Sequence, residues 1–216
     1  MARSGWSSSN YIRCASGLIT AAPLTIACWM KTASISSSMT VAGVFSSGSA
    51  GNRHRFSLDI DSTAKVDAAC SDGSTTNDAL SSTTISTGTW FHGCVVFASN
   101  TSRSAYLNGG SKGTNTTART PTAANINRTS IGGGDGSSFT AAFNGEVAEV
   151  GYWNAALDDA EVASLAAGVP PSSVRPQSLI AHLPLIRELV DLKGNGFAIT
   201  GSLSVTDHPR IYGLVA

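Results

Sequence analysis

The chain predicts an all-β fold, two antiparallel sheets stacked as a sandwich, with one short α-helix near residues 158–167. Three observations carry that expectation. Runs such as LTIACWMK from Leu24 and RFSLDID from Arg55 alternate apolar and polar residues, the period of a strand with one face inward. Such runs recur every ~8–12 residues between Gly, Ser and Asn clusters, as in sandwiches. Only in the stretch from Phe143 to Gly168 does the period change to that of a helix.

Taken in order, a short strand is expected within Tyr11 to Ile19. The run from Leu24 to Lys31 puts Leu24, Ile26, Cys28 and Met30 on one face and Thr25, Ala27 and Trp29 on the other. That composition predicts cover on both sides. Ser34 to Thr40 reads as a loop, Val41 to Phe45 as a strand, and Ser46 to Asn52 as a turn. Phe56, Leu58 and Ile60 point inward in the next strand, with Ser57, Asp59 and Asp61 outward, and Lys65 to Cys70 pairs back as a hairpin. Ser71 to Leu80 reads as a loop. Thr89 to Phe97 is a strand, and the strand from Ala105 ends in Asn108-Gly109, a pair suited to the positive φ of a type I′ hairpin. Thr114 to Asn127 is a long loop, and a short strand ends in Ile131 and three glycines.

In the closing stretch, Asn144-Gly145 opens a run holding Val147, Val150, Tyr152 and Trp153. Asp158 then caps a helix starting at Asp159, with Glu161 completing a capping box and Leu157 and Val162 placed as a hydrophobic staple. Gly168 supplies a left-handed residue after the last turn, and Pro170-Pro171 stop continuation. A helix of about 10 residues is marginal alone in water, so Val162 and Leu165 must dock on the sheet.

The spacing of Phe143, Gly145, Val147, Glu149 and Val150, then Trp153-Asn154, Ala156-Leu157-Asp158, Glu161, Val162 and Leu165, resembles the closing segment of laminin G-like (concanavalin A-like) jelly-roll domains. Ala148 stands where that family usually carries Asp. Trp90-Phe91-His92 resembles the family's Trp-His strand, and Leu24 to Lys31 its second or third strand. The resemblance implies a jelly-roll sandwich over residues 1–216. The segment 169–216 looks like the stretch that usually opens such a domain, and it either returns to the sandwich in permuted order, through Leu179 to Leu185, or reaches a neighbouring subunit.

Composition narrows the function classes. Charged residues are 13% of the chain, with 14 basic against 14 acidic, so no basic surface supports nucleic-acid binding. No apolar run spans a membrane, and the N-terminus lacks the pattern of a signal peptide, so synthesis in a cytoplasm is expected. Cys14, Cys28, Cys70 and Cys94 lack metal spacing and read as buried free thiols. The sequons at Asn100, Asn115 and Asn127 read as loop polarity.

Catalytic sets are thin. Glu146 and Glu149, three apart, should point to opposite strand faces, and no facing acid pair or nucleophile elbow is found. His92 reads as a core histidine, and Glu149 as a structural hydrogen-bonding group. The resemblance implies Ca²⁺ at a loop rim, for which Asp59, Asp61, Asp72 and Asp78 are candidate ligands; six to eight oxygens would have to converge. Solvated aspartates are the plainer reading. Asp135 in a Gly-rich turn is a further candidate. Trp153, Tyr106 and Trp6 are candidate sugar-stacking aromatics, each also suited to a core. No catalytic residues are assigned and no cofactor beyond possible Ca²⁺.

A neutral jelly roll with the AGVPPSSVRPQSLIAHLPL connection looks like laminin G-like proteins of tailed bacteriophages. The expectation is a non-enzymatic virion surface protein that decorates the capsid, bound to the major capsid protein or other virion proteins, and homo-oligomeric, with a trimer among the options. A carbohydrate-binding module or tail adhesin that recognises glycans is the alternative, and a glycanase the third.

Overall fold

A computed structural model describes residues 1–48, 53–134, 140–186, 189–209 and 211. Among them the strands are β1 (Ala2–Ser4), β2 (Tyr11–Cys14), β3 (Leu24–Thr32), β4 (Met39–Ser46), β5 (His54–Ile60), β6 (Val66–Asp72), β7 (Thr76–Leu80), β8 (Phe91–Ser99), β9 (Ser102–Leu107), β10 (Gly110–Asn115), β11 (Ile126–Ile131), β12 (Gly145–Trp153), β13 (Leu179–Leu183), β14 (Phe197–Thr200) and β15 (Ser204–Thr206). The helix α1 is Asp159–Ala166. One sheet runs β10-β9-β8-β3-β12-β1-β15, with β13 also on β12; the other runs β14-β2-β11-β4-β5-β6-β7. The pairings are antiparallel throughout. This is the two-sheet sandwich that the alternation predicts and the jelly roll that the resemblance implies. Among the described residues no helix is long and apolar enough to cross a membrane.

The inner faces interdigitate as alternation requires. Leu24, Ile26, Cys28 and Met30 of β3 meet Phe56, Leu58 and Ile60 of β5 in one buried cluster. Phe56 and Phe97 join the sheets edge to face, ring centroids 5.1 Å apart. All four cysteines are buried and free. In β12, Glu149 takes a φ of +52° and the register with β3 shifts between Ala148 and Gly151. The bulge resets the alternation, which is why Val147 and Val150, three apart, both reach the core.

The outer face of the eight-stranded sheet carries α1. Asp158 accepts from Glu161 N and Glu161 Oε2 accepts from Asp158 N, each at 2.9 Å, the capping box read from the sequence. Val162 and Leu165 pack with Ala27, Cys94, Tyr106 and Trp153. The hairpin before α1 turns at Asn108 (φ 53°) and Gly109 (φ 75°), both left-handed as a type I′ turn demands.

Three departures have physical causes. The 71–80 stretch holds β7, which pairs β6 from Ser71↔Thr76 to Asp67↔Leu80; its short polar residues hide a strand whose outer face meets solvent. The returning segment does not end as one strand but splits at Gly201 (φ 73°), so β14 joins β2 in one sheet and β15 joins β1 in the other. Arg3 of β1 pairs with Val147, in a strand too short to show a period. The 179–183 stretch pairs with β12 from Val150↔Leu183 to Trp153↔Leu179, so with β14 and β15 this segment returns to the sandwich.

The two sides of the sandwich differ. Between β7 and β10, Ser82 N donates to Ser111 O (2.8 Å), Asn115 Nδ2 to Asp78 O (2.8 Å) and Thr83 Oγ1 to Ser111 Oγ (2.7 Å), sealing that seam with polar bonds. At the β14–β15 side, Ile199 and Val205 remain 36% and 44% exposed.

Candidate functional site

The outer face of the seven-stranded sheet is polar and partly roofed. Register and alternation place Arg55, Ser57 and Asp59 of β5 beside Ser71, Ala69 and Asp67 of β6, with Thr76 and Asp78 of β7 next. Outward on a strand usually means solvated, yet Ser57, Asp59 and Asp67 are buried. The chain between β11 and β12 folds back across the end of β4, where Thr40 N donates to Ala141 O (2.8 Å) and Gly134 and Thr140 exchange backbone bonds (2.8 and 2.9 Å). Arg53 Nη1 reaches over to Thr140 Oγ1 at 3.3 Å. Beneath that arch a small cavity of about 180 Å³ is lined by Arg53, Arg55, Ser71, Thr76 and Thr140.

The register also brings together what one-dimensional spacing separates: Asp59 stands directly opposite Asp67. The expectation of no facing acids is corrected here, because a hairpin with its turn at 61–65 juxtaposes residues eight apart. The pair is not built for hydrolysis of a bound sugar. Asp59 and Asp67 are 5% and 6% exposed. Burial, then the charges of Asp59 and Asp78, pushes the Asp67 carboxyl up to about 9. Burial likewise raises Asp59, against the pull of Arg55, whose Nη2 lies 3.6 Å from Asp59 Oδ2. Such a pair holds a proton at neutral pH inside the protein.

The four aspartates proposed for Ca²⁺ do not converge. Asp61 closes the β5–β6 turn, accepting from Lys65 N (2.8 Å) and the Thr63 hydroxyl (2.6 Å). Asp72, at the opposite end of β6, accepts from Ser74 N and Thr75 N (3.1 and 3.0 Å) and from the Ser74 hydroxyl, bonds that hold its carboxyl down to about 2. Asp59 is buried on β5 beside Thr40 and Arg55, and Asp78 lies on β7. Among the described residues no group of three or more His, Cys, Asp or Glu side chains is placed to hold a metal ion. Asp135 lies outside the described residues.

The three expected stacking aromatics are corrected as well. Trp153 is fully buried and its Nε1 donates to Val174 O at 2.8 Å; Trp6 and Tyr106 are 7% and 3% exposed. Tyr106 donates to Asp159 Oδ1 (2.7 Å), with Lys112 on the same oxygen (2.8 Å), and so pins α1. Among the described residues the half-exposed aromatics are Tyr11, Trp29, Trp90 and Phe197. Periodicity had already put Trp29 on the outer face; only the limited reach of α1 leaves it open.

Glu149 does serve as a buried hydrogen-bonding group. Its oxygens meet His182 Nε2 at 2.7 Å and His208 Nε2 at 3.3 Å, tying β12 to β13 and to the chain after β15. Those bonds bring its carboxyl below the ordinary value although burial pushes the other way.

A larger recess opens on the other side of the first residues of β5. It measures about 530 Å³ and is lined by Ser46, Ser47, Gly48, His54, Asn125 and Asn127. Its walls are fixed by their own bonds. Asn127 Oδ1 accepts from Ser47 N and its Nδ2 donates to Ser47 Oγ, both at 3.0 Å. Thr122 N donates to His54 Nδ1 at 3.1 Å, so in the neutral ring Nε2 carries the proton and is a donor. The short 3-10 turn Ala123–Asn125 leaves the Asn125 side chain exposed at the mouth. Hydroxyl, amide and imidazole groups around an open recess can exchange hydrogen bonds with a polyhydroxylated ligand.

Residues 6–163 match the family model described as concanavalin A-like lectin/glucanases superfamily. The chain belongs to that superfamily. A comparison with curated protein sequences finds no match. Among solved structures, this superfamily member is similar to a Bacteroides ovatus protein described as carbohydrate binding (TM-score 0.65, 17% identity, covering 96% of this chain and 60% of that one). It is similar to domain 4 of AbnA, a GH43 extracellular arabinanase from Geobacillus stearothermophilus, in complex with arabinotriose (TM-score 0.58, 20% identity, 72% of each chain). A third is the CBM40 of the Ruminococcus gnavus IT-sialidase bound to α2,3-sialyllactose (TM-score 0.57, 16% identity, 68% of this chain and 84% of that one). At these identities the likeness is one of fold.

Proposed function

We propose that the chain is a non-catalytic carbohydrate-binding module whose ligand enters the recess beside His54. The observation that carries the reading is that recess of about 530 Å³, walled by Ser, Asn and His groups and set at the rim of a lectin-type sandwich. Neighbours solved with arabinotriose and with α2,3-sialyllactose share the fold, which supports glycans as the ligand class. The burial of Asp59 and Asp67 supports recognition over hydrolysis, since a glycosidase needs both carboxyls in contact with its substrate. A glycan array, followed by titration calorimetry with arabinotriose and α2,3-sialyllactose, tests this. His54→Ala and Asn125→Ala should each weaken binding of the best ligand by about tenfold, one or two lost hydrogen bonds, with the melting temperature unchanged. A wild-type protein silent across the array sinks the reading.

A second reading, a bacteriophage virion surface protein that decorates the capsid, is supported by a different feature. Ile186, Val190, Leu192, Ile199 and Val205, between 36% and 55% exposed, all fall in the segment 186–205. Exposed apolar groups beside the outermost strands β14 and β15 suit a partner surface. The double variant Ile199→Lys, Val205→Lys should lose saturable binding to capsids while keeping its melting temperature. Wild-type protein that never co-sediments with particles counts against decoration.

A further inference from the structure

The helix α1 covers only part of the outer face of the eight-stranded sheet. It packs over Ala27, Cys94, Val96 and Tyr106, and one pleat further along β3 the face is open at Trp29, which is half-exposed. Trp29 sits in register with His92 on one side and Ala148 on the other. The side chain of His92 is buried and meets the indole edge to face, ring centroids 5.5 Å apart with planes at 65°. That contact fixes the plane of the indole. Ala148 is fully buried, so the exposed surface lies on the Trp29 and β8 side and not over Ala148. The next outward residue of β3, Lys31, reaches across to Glu146 of β12, Nζ to Oε1 at 3.0 Å. One carboxylate oxygen uses one of the three ammonium donors, and Lys31 is still 32% exposed. Glu146 Oε2 is buried and faces no protein donor, so the part Glu146 plays here is to hold Lys31. Trp90, half-exposed, immediately precedes β8, and alternation from the core residue Phe91 puts it on the same side, beside Lys31.

A held indole flanked by an ammonium with spare donors, itself anchored by Glu146, is a fit for one chemistry in particular. A pyranose has an apolar C–H face that stacks on an aromatic plate and a rim of hydroxyls that both give and take hydrogen bonds. We propose that Trp29, Lys31 and Glu146, with Trp90 beside them, form a second carbohydrate site, an open platform for the flat face of an equatorially linked pyranose chain. It lies on the opposite sheet from the His54 recess and is independent of it. An open plate has no end walls, so it takes internal units of a long chain, whereas the recess takes a terminal or short unit.

Xylohexaose and cellohexaose, both β-1,4-linked, are the probes. Wild-type protein should bind at least one by calorimetry, with quenching of tryptophan fluorescence. Trp29→Ala should abolish that binding, Trp29→Phe should retain part of it, and Lys31→Ala should weaken it about tenfold. His54→Ala and Asn125→Ala should leave it unchanged, which separates the two sites: hexaose binding lost in the His54 variant alone overturns the platform and upholds the recess, and the converse upholds the platform. Wild-type protein with no heat and no quenching for either hexaose overturns the proposal. So does a Trp29→Ala variant that binds as before, or one whose only change is in oligomeric state. Unfolding midpoints and circular dichroism of each variant show that the fold is kept, and Trp29→Phe carries the test if the alanine variant does not fold.

Discussion

Trp153→Ala is expected to cost about 3–5 kcal/mol of folding stability and to lower the melting temperature by about 10 °C. The indole is fully buried between the sheet and the segment that covers it, against Val162 and Leu165 of α1 and Leu179 of β13. Its Nε1 donates to Val174 O, so truncation removes the largest side chain of this satellite core and orphans a buried carbonyl. Trp153→Phe refills most of the volume but not the hydrogen bond, and about half of the loss should return. Denaturant unfolding of the three proteins at one pH measures both steps, and proteolysis should cut the alanine variant first around α1. A loss below about 1 kcal/mol would mean that α1 is held by something else, and would return Trp153 to the residues available for a ligand.

Asp67→Asn should make the protein more stable at alkaline pH and leave it unchanged in acid. Asp67 is buried opposite Asp59, with its carboxyl pushed up to about 9. For a carboxyl whose folded value is raised, the folded state holds a proton that the unfolded chain has given up. Its stabilising contribution is complete below about pH 4 and is lost as the pH rises toward 9. Each unit of pH across that window removes up to about 1.4 kcal/mol. Asparagine carries no proton to lose, so the difference between the two proteins should be near zero at pH 4 and reach about 1–3 kcal/mol at pH 8, a few degrees or more in melting temperature. Parallel stability curves from pH 4 to 9 would show that Asp67 is ionised in the folded protein and that the Asp59–Asp67 pair is not desolvated as described.

The parts of this fold that could be read in advance are those in which a residue's role depends on near neighbours. Asp158, Glu161, Leu157 and Val162 name a helix start within six positions, and the capping box is present as read. Asn108-Gly109 names its own turn. The inward sets of β3 and β5 follow from period alone, since a strand of alternating residues has only two faces. Candidate site residues were less legible. Trp153 and Trp29 are both outward-facing tryptophans in central strands; one is buried and one is open only because α1 is eight residues long and lands over one of them. Asp59 and Asp61 looked alike as outward acids, yet the first is buried opposite Asp67 and the second closes a turn.

From its residues alone, this chain determines that it will form alternating strands, where the helix α1 and the Asn108-Gly109 turn fall, and which side of the long inner strands is apolar. Those are local preferences, settled within a few residues by backbone sterics, hydrogen-bonded caps and period. Tertiary structure alone decided which outward residues are covered, that Asp59 meets Asp67, that the Glu149 bulge lets Val147 and Val150 share one core, and that β14 and β15 part at Gly201 into different sheets. Burial, and with it charge state and access to a ligand, depends on segments that are close in space and distant along the chain, and no short-range pattern encodes that distance.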